Sequence, residues 1–165
     1  MADGVITVTL PANQDGSFGA GHVAVAKAAD KTFTFTNVNA FLKMTFASAK
    51  YTRIVVESVG GQALAGDLTV TFADGAAVIG STYANTSSTV EVTSDEAFAA
   101  GDLYISVLPG VTHTQGVLVS CYNGAEKVGA YLVDNGYTEE VECSGSIIAP
   151  LIGNGNPQYQ IMGKR

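Results

Sequence analysis

The chain has 165 residues, 47% of them apolar and 14% charged, so it can close a hydrophobic core without disulfides and is too apolar to stay disordered. Its 8 Lys and Arg against 15 Asp and Glu give a net charge of -7, which argues against nucleic-acid backbones and anionic membrane surfaces as partners. Two His, two Cys and no Trp are a poor inventory for catalysis or a tight metal site.

The dominant period is two from the first residues onward. Ile6, Val8 and Leu10 alternate with Val5, Thr7 and Thr9. Phe33 and Phe35 alternate with Thr32, Thr34 and Thr36, and Leu42, Met44 and Phe46 with Phe41, Lys43 and Thr45. Leu68, Val70 and Phe72 oppose Asp67, Thr69 and Thr71, and Val90 and Val92 are flanked by Thr89, Glu91 and Thr93. Leu103, Ile105 and Val107 alternate with Asp102, Tyr104 and Ser106. Successive strand side chains point to opposite faces, so each run predicts an apolar row turned inward and a polar row turned outward. Further strands are expected at Gly116–Tyr122, Lys127–Val133, Thr138–Cys143 and Ser146–Leu151.

Turn chemistry separates these runs. Asp74-Gly75, Asn123-Gly124 and Asn135-Gly136 suit the positive φ of tight hairpins. Helical periodicity is missing, and Glu96–Ala100 has room for one helical turn at most. About ten short strands at this spacing predict an all-β fold, an antiparallel β-sandwich of the Ig/transthyretin-like Greek-key type. The sandwich is expected over residues 1–152. Residues 153–165, rich in Gly and Asn with Pro157, read as a polar C-terminal tail.

The candidate chemistry is sparse. His22 and His113 lie far apart with no HxH or HExxH pattern, and read most simply as exposed loop histidines. Asp95-Glu96 and Glu139-Glu140 with Glu142 could pair as acid and base, but charges on an exposed strand more simply block edge pairing. Asn13-Gln14-Asp15-Gly16 is too isolated for a calcium loop. Ser144-Gly145-Ser146 has no nucleophile-elbow context, and Gly16, Gly19 and Gly21 lack the Lys of a phosphate loop. If Asn123-Gly124 and Asn135-Gly136 close a three-strand meander, Cys121 and Cys143 sit on its outer strands, about 10 Å apart. Buried thiols follow, unless the last strand crosses to the other sheet and allows a disulfide. No catalytic residue, cofactor or metal is expected.

Four segments in order carry a family resemblance. Val5–Gly21 (VITVTLPANQDGSFGAG) and Phe35–Phe46 (FTNVNAFLKMTF) resemble the N-terminal domain of the fimbrillin-like proteins of Bacteroides and relatives. Arg53–Phe72 (RIVVESVGGQALAGDLTVTF) resembles their following hairpin, and Phe98–Gly110 (FAAGDLYISVLPG) their F-x-x-G-x-Y-Y-I-x-V-L-P-G segment. The resemblance implies a β-sandwich pilin or adhesin subunit that polymerises by exchanging strands. Against that pattern, the expectation is a chain without a leader, lipobox Cys or second domain, with a polar tail where the interdomain connection would lie.

The expected function is therefore a non-enzymatic structural or adhesive subunit of a larger surface assembly. Its partners would be other protein subunits, in a homo-oligomer or a larger shell or fibre, with a host surface protein or glycan as a further contact. Nucleic-acid binding and membrane insertion are not expected. A fimbrial setting on the cell surface follows from the resemblance if a leader has been removed. A virion setting, as a capsid decoration or head-fibre protein, needs no leader and is the alternative. In either, Tyr159, Ile161, Met162, Lys164 and Arg165 are candidate assembly contacts, apolar residues for a groove and cations for an acidic neighbour. A glycan-binding module is the third reading, with Tyr104, Tyr122 and Tyr131 at outward or loop-proximal positions as its platform.

Overall fold

The computed structural model describes residues 4–17, 21–29, 32–46, 49–133, 138–141 and 145–148. It is all β, as the alternation predicts. The strands are β1 (Ile6–Leu10), β2 (Asn13–Gln14), β3 (Ala24–Ala29), β4 (Thr32–Asn37), β5 (Ala40–Phe46), β6 (Arg53–Ser58), β7 (Ala65–Ala73) and β8 (Ala76–Ile79). They continue with β9 (Ala84–Ser87), β10 (Thr89–Thr93), β11 (Gly101–Val107), β12 (Val117–Asn123), β13 (Glu126–Val133), β14 (Thr138–Val141) and β15 (Gly145–Ile148). Residues Glu96–Ala100 form no helical turn.

Two sheets make the main sandwich. The larger has the order β14-β13-β12-β6-β10-β2 and the smaller β11-β5-β15. All neighbours in them are antiparallel except β10 and β2, which run parallel. The chain crosses from the larger sheet to the smaller between β14 and β15. The inward rows are those the period of two picks out. Leu42, Met44, Phe46, Leu103, Ile105 and Val107 from the small sheet meet Ile54, Val56, Val90, Val92, Val117, Val119 and Cys121 from the large one. Each fully buried side chain of this kind is worth about 1.5–3 kcal/mol.

A second, smaller core lies beside it. The sheet β1-β7-β8, with β9 also paired to β7, packs against the two-stranded hairpin β3–β4. Leu10, Val25, Val38, Leu68, Val70, Ala77 and Leu108 fill the space between them. The β7–β8 hairpin turns on Asp74 and Gly75, with φ of 51° and 83°, and the flanking register pairs Ala73 with Ala76. Two successive positive φ angles match the twist of the strands they join, which is why Asp-Gly serves here.

One short segment stitches the sandwich along an edge. Ala12 O accepts the Glu91 backbone N–H at 2.7 Å, and β2 pairs with β10 on the large sheet. The Gln14 amide then reaches β11 of the small sheet. Its Oε1 accepts the Ser106 N–H and its Nε2 donates to Ser106 O, both at 2.8 Å. Gly16 O accepts the Tyr104 N–H at 3.3 Å. Residues 12–16, which include the isolated Asn13-Gln14-Asp15-Gly16, thus cover the open edge of β11, which would otherwise offer unpaired backbone groups.

Two expected orientations are overturned. Phe33 and Phe35 are not inward: they are 59% and 70% exposed. Tyr131 is not outward: it is 4% exposed and belongs to the main core. The β12–β13 pairing shifts register between Cys121 and Tyr122, and a shift of one residue moves every later side chain to the other face.

Candidate functional site

The hairpin β3–β4 is the least conventional part of the molecule. Its register pairs Val25 with Thr36, Ala26 with Phe35, Lys27 with Thr34 and Ala28 with Phe33. One row of β3, Val25 and Lys27, turns toward the body. Val25 is buried in the second core, and the Lys27 ammonium lies 5.9 Å from the centroid of the Phe72 ring. Such a contact lets a cation sit over an apolar surface. The other row carries Phe33 and Phe35 into solvent, their rings stacked with centroids 6.5 Å apart and planes 26° apart. Bulky aromatics therefore face outward, while the opposite row holds buried Val25 and an exposed Lys27 whose ammonium lies along Phe72. Among the described residues β4 pairs with β3 alone, so its outer backbone edge meets no described strand.

The base of this hairpin is fixed by a buried amide. Asn39 is 2% exposed. Its Oδ1 accepts the Val23 N–H at 3.0 Å, and its Nδ2 donates to Gly21 O at 3.0 Å and to Ser106 Oγ at 2.7 Å. His22 and Asn37 meet across the same base, Nε2 to Oδ1 at 2.6 Å, and the Val38 N–H donates to Val23 O at 3.0 Å. Asn39 thus ties the hairpin to β11 of the sandwich. A cleft of about 430 Å³ opens nearby, lined by Asn13, Gln14, Asp15, Thr93 and Ser106 among others. The polar groups of Gln14 and the Ser106 backbone are engaged with one another. Asp15 accepts the Ser17 N–H at 2.8 Å, which holds its carboxyl below the usual range. These groups serve the fold.

The tyrosines singled out in the sequence do not converge. Tyr104 lies on the outer face of the small sheet, its ring edge-on to Phe41 at 6.2 Å, with the Lys43 ammonium 6.0 Å from its centroid. Lys43 pairs with Asp102 at 2.6 Å, and Thr45 Oγ1 also donates to Asp102 at 2.6 Å. The hydrogen bond from Lys43 is the main reason the Asp102 carboxyl is held low and the Lys43 ammonium is raised. Tyr122 lies on the outer face of the large sheet, across the core from Tyr104. The Arg53 guanidinium covers its ring at 4.3 Å and forks onto Glu91, at 2.9 Å from Nε and 3.1 Å from Nη2. With Tyr131 in the core, the three form no common platform.

The remaining candidates fall out as follows. His113 is half-buried rather than exposed, with Nδ1 2.8 Å from Ser58 Oγ, and burial lowers its pKa. Asp95 and Glu96 are exposed. Glu139 and Glu140 lie on β14, the last strand of the large sheet. Strands β12, β13 and β14 form the expected meander, with Cys121 buried. Cys143, Glu142 and Ser144 lie outside the described residues, as do Gly19, Asn135-Gly136 and the tail residues Tyr159, Ile161, Met162, Lys164 and Arg165. Among the described residues no group of three or more His, Cys, Asp or Glu could hold a metal ion, and no helix is long and apolar enough to cross a membrane.

Alternation alone places Phe33 and Phe35 in the core. β3 gives no consistent signal against it: the positions opposite them are Ala26 and Ala28, and the alternate row holds both Val25 and Lys27. No family model matches the chain, and no match is found among curated proteins or solved structures.

Proposed function

We propose that the chain is a non-enzymatic structural or adhesive subunit of a larger surface assembly, of the fimbrillin-like kind its motifs resemble. The observation that carries this reading is the hairpin β3–β4, which sets stacked Phe33 and Phe35 in solvent on a strand whose outer edge meets no described strand. An exposed, apolar edge strand is a template for pairing with another chain, and proteins that stay single blunt such edges with charge, shortness or cover. Strand addition there would supply main-chain hydrogen bonds, and the rings would supply apolar burial. Covering what remains exposed of both rings is worth about 3 kcal/mol per subunit, taking about 1.5–3 kcal/mol for a fully buried Phe.

Sedimentation velocity over rising protein concentration tests the reading. The native chain is expected to form species larger than a dimer, and a chain carrying both Phe33→Ser and Phe35→Ser to form none. Deleting residues 153–165 tests the tail contact separately, with assembly weakened and the sandwich still folded. A native chain that stays below the size of a trimer throughout, with no partner subunit bound, refutes the larger assembly.

A further inference from the structure

We infer that β4 pairs antiparallel with the β4 strand of a second copy of this chain, about a two-fold axis through Thr34. The inference rests on the assembly reading in taking the hairpin as a contact surface, and goes further in naming the occupant and the register. Residues Thr32-Phe33-Thr34-Phe35-Thr36 read the same in both directions. A two-fold contact places one surface against itself, so a self-complementary strand is what it requires. About Thr34, Phe33 lies opposite Phe35 of the second copy, and Thr32 opposite Thr36. Both aromatic rows then share one face of a four-stranded sheet, β3-β4 followed by β4-β3 of the second copy.

Other registers do worse. A slip of one residue sets Phe opposite Thr and turns the two aromatic rows to opposite faces. Moving the axis to Phe33 or Phe35 matches one ring with its own copy and sets the other against Lys31 or Asn37. Only the axis at Thr34 gives every ring an aromatic partner, and aromatic pairs across strands are among the favourable ones.

Charge favours the same edge. The chain as a whole is at -7, so two copies repel over most of their surfaces. The segment from Ala24 to Asn37 carries Lys27 and Lys31 against Asp30, a net charge of +1. Two acidic subunits can therefore meet here without bringing acidic surfaces together. Four rings and one pair of strand edges make a contact smaller than the roughly 1,200 Å² of a stable interface, so the pairing should be weak, with Kd above about 1 μM. A two-fold contact also closes at two copies. The dimer is then a building block, and a second contact must extend it.

Cysteine cross-linking reads the register directly. Opposed Cα atoms in an antiparallel pair are about 4.5–5.5 Å apart, within the range a disulfide spans. Chains carrying Thr34→Cys should therefore link 34 to 34 on mild oxidation, identified by the joined peptide. Thr32→Cys or Thr36→Cys alone should link at least tenfold less, because like positions would be about 13 Å apart along the strands. A mixture of the two should link 32 to 36. Adding Phe33→Ser and Phe35→Ser should abolish all of these links. If that variant loses its β-sheet circular dichroism, the cross-links in otherwise native chains decide alone. Association that depends on the rings but links no better at 34 than at 32 or 36 overturns the pairing and leaves the assembly reading standing. A 34–34 link in a species that stops at two upholds the pairing and refutes the larger assembly. No association at any concentration overturns both.

Discussion

Replacing Asn39 by Ala should loosen the hairpin from the sandwich. Asn39 is buried, and its amide serves four partners: the Val23 N–H, Gly21 O, Ser106 Oγ and, more weakly, Ala40 O at 3.3 Å. Ala removes all four contacts without giving any of the groups a new partner. A buried polar group left without one costs about 1–3 kcal/mol. Ser106 is itself buried and bears the full penalty, while Gly21 and Val23 are half-buried and recover part of theirs from water. The sum is about 3 kcal/mol, a large share of the roughly 5–15 kcal/mol that holds a domain folded. For a chain of this length that is about 6–12 °C in Tm, at about 2–4 °C per kcal/mol. Urea unfolding should show a lower midpoint with an unchanged slope. Hydrogen exchange adds the local test. The amides of Val23 and Val38, which bridge the hairpin base, should exchange faster in the variant, and by more than those of β12 in the main sandwich. A loss below about 1 kcal/mol, or unaltered exchange at Val23 and Val38, would refute the role given to this amide.

Three further outcomes are expected. Burial lowers the His113 pKa below its unfolded value of about 6.5, so protonation favours the unfolded chain. Stability should then fall as pH drops through about 6.5 and level off below the folded-state value, and His113→Gln should flatten that part of the urea-midpoint curve; a variant curve parallel to the native one would remove His113 as the cause. Gly66→Ala should destabilise more than Gly75→Ala, because a Cβ at Gly66 (φ 142°) meets Ala84 O at 2.7 Å whereas one at Gly75 (φ 83°) meets nothing within 4 Å. That difference should exceed about 1 kcal/mol in equilibrium unfolding, and equal losses would refute it. Ile54→Ala, at a fully buried position of the main core, should cost about 2–5 kcal/mol, and a loss under 1 kcal/mol would show the site collapsing around the deletion.

The alternation of the sequence placed the main core well. The rows Leu42-Met44-Phe46, Val90-Val92 and Leu103-Ile105-Val107 are buried as read. A period of two assigns residues to faces, and a sandwich with one wet face obeys that assignment. It does not say which face is wet. For β5, β10 and β11 the other row holds Lys43, Glu91 or Asp102, which settles the choice, although Phe41 and Ser106 of those rows are buried as well. For β4 the alternative row is Thr throughout, and Thr is at home on either face, so the strand alone could not decide. β3 does not decide it either, because Val25 favours burial of the Thr row and Lys27 favours its exposure. Tyr131 failed for a related reason: a register shift in the β12–β13 pairing is invisible to a count along one strand. The role of Gln14 was hidden too, because a side chain that replaces a strand partner for Ser106 leaves no periodic trace.

The strand edges differ in a way that bears on assembly. β11 has its Tyr104 and Ser106 backbone groups engaged by Gly16 and Gln14. β2 is a strand of two residues, too short to seed a ladder. β14 carries consecutive Glu139 and Glu140, and two copies meeting there would set acidic residues against one another. Each of these devices discourages pairing, and each lies on the main sandwich. The hairpin β3–β4 has none of them along β4: the strand is six residues long, has no charged residue, and holds two aromatics in solvent. A chain that guards β11, β2 and β14 by cover, shortness and charge leaves β4 suited to contact, and the symmetric sequence about Thr34 suits it to contact with itself.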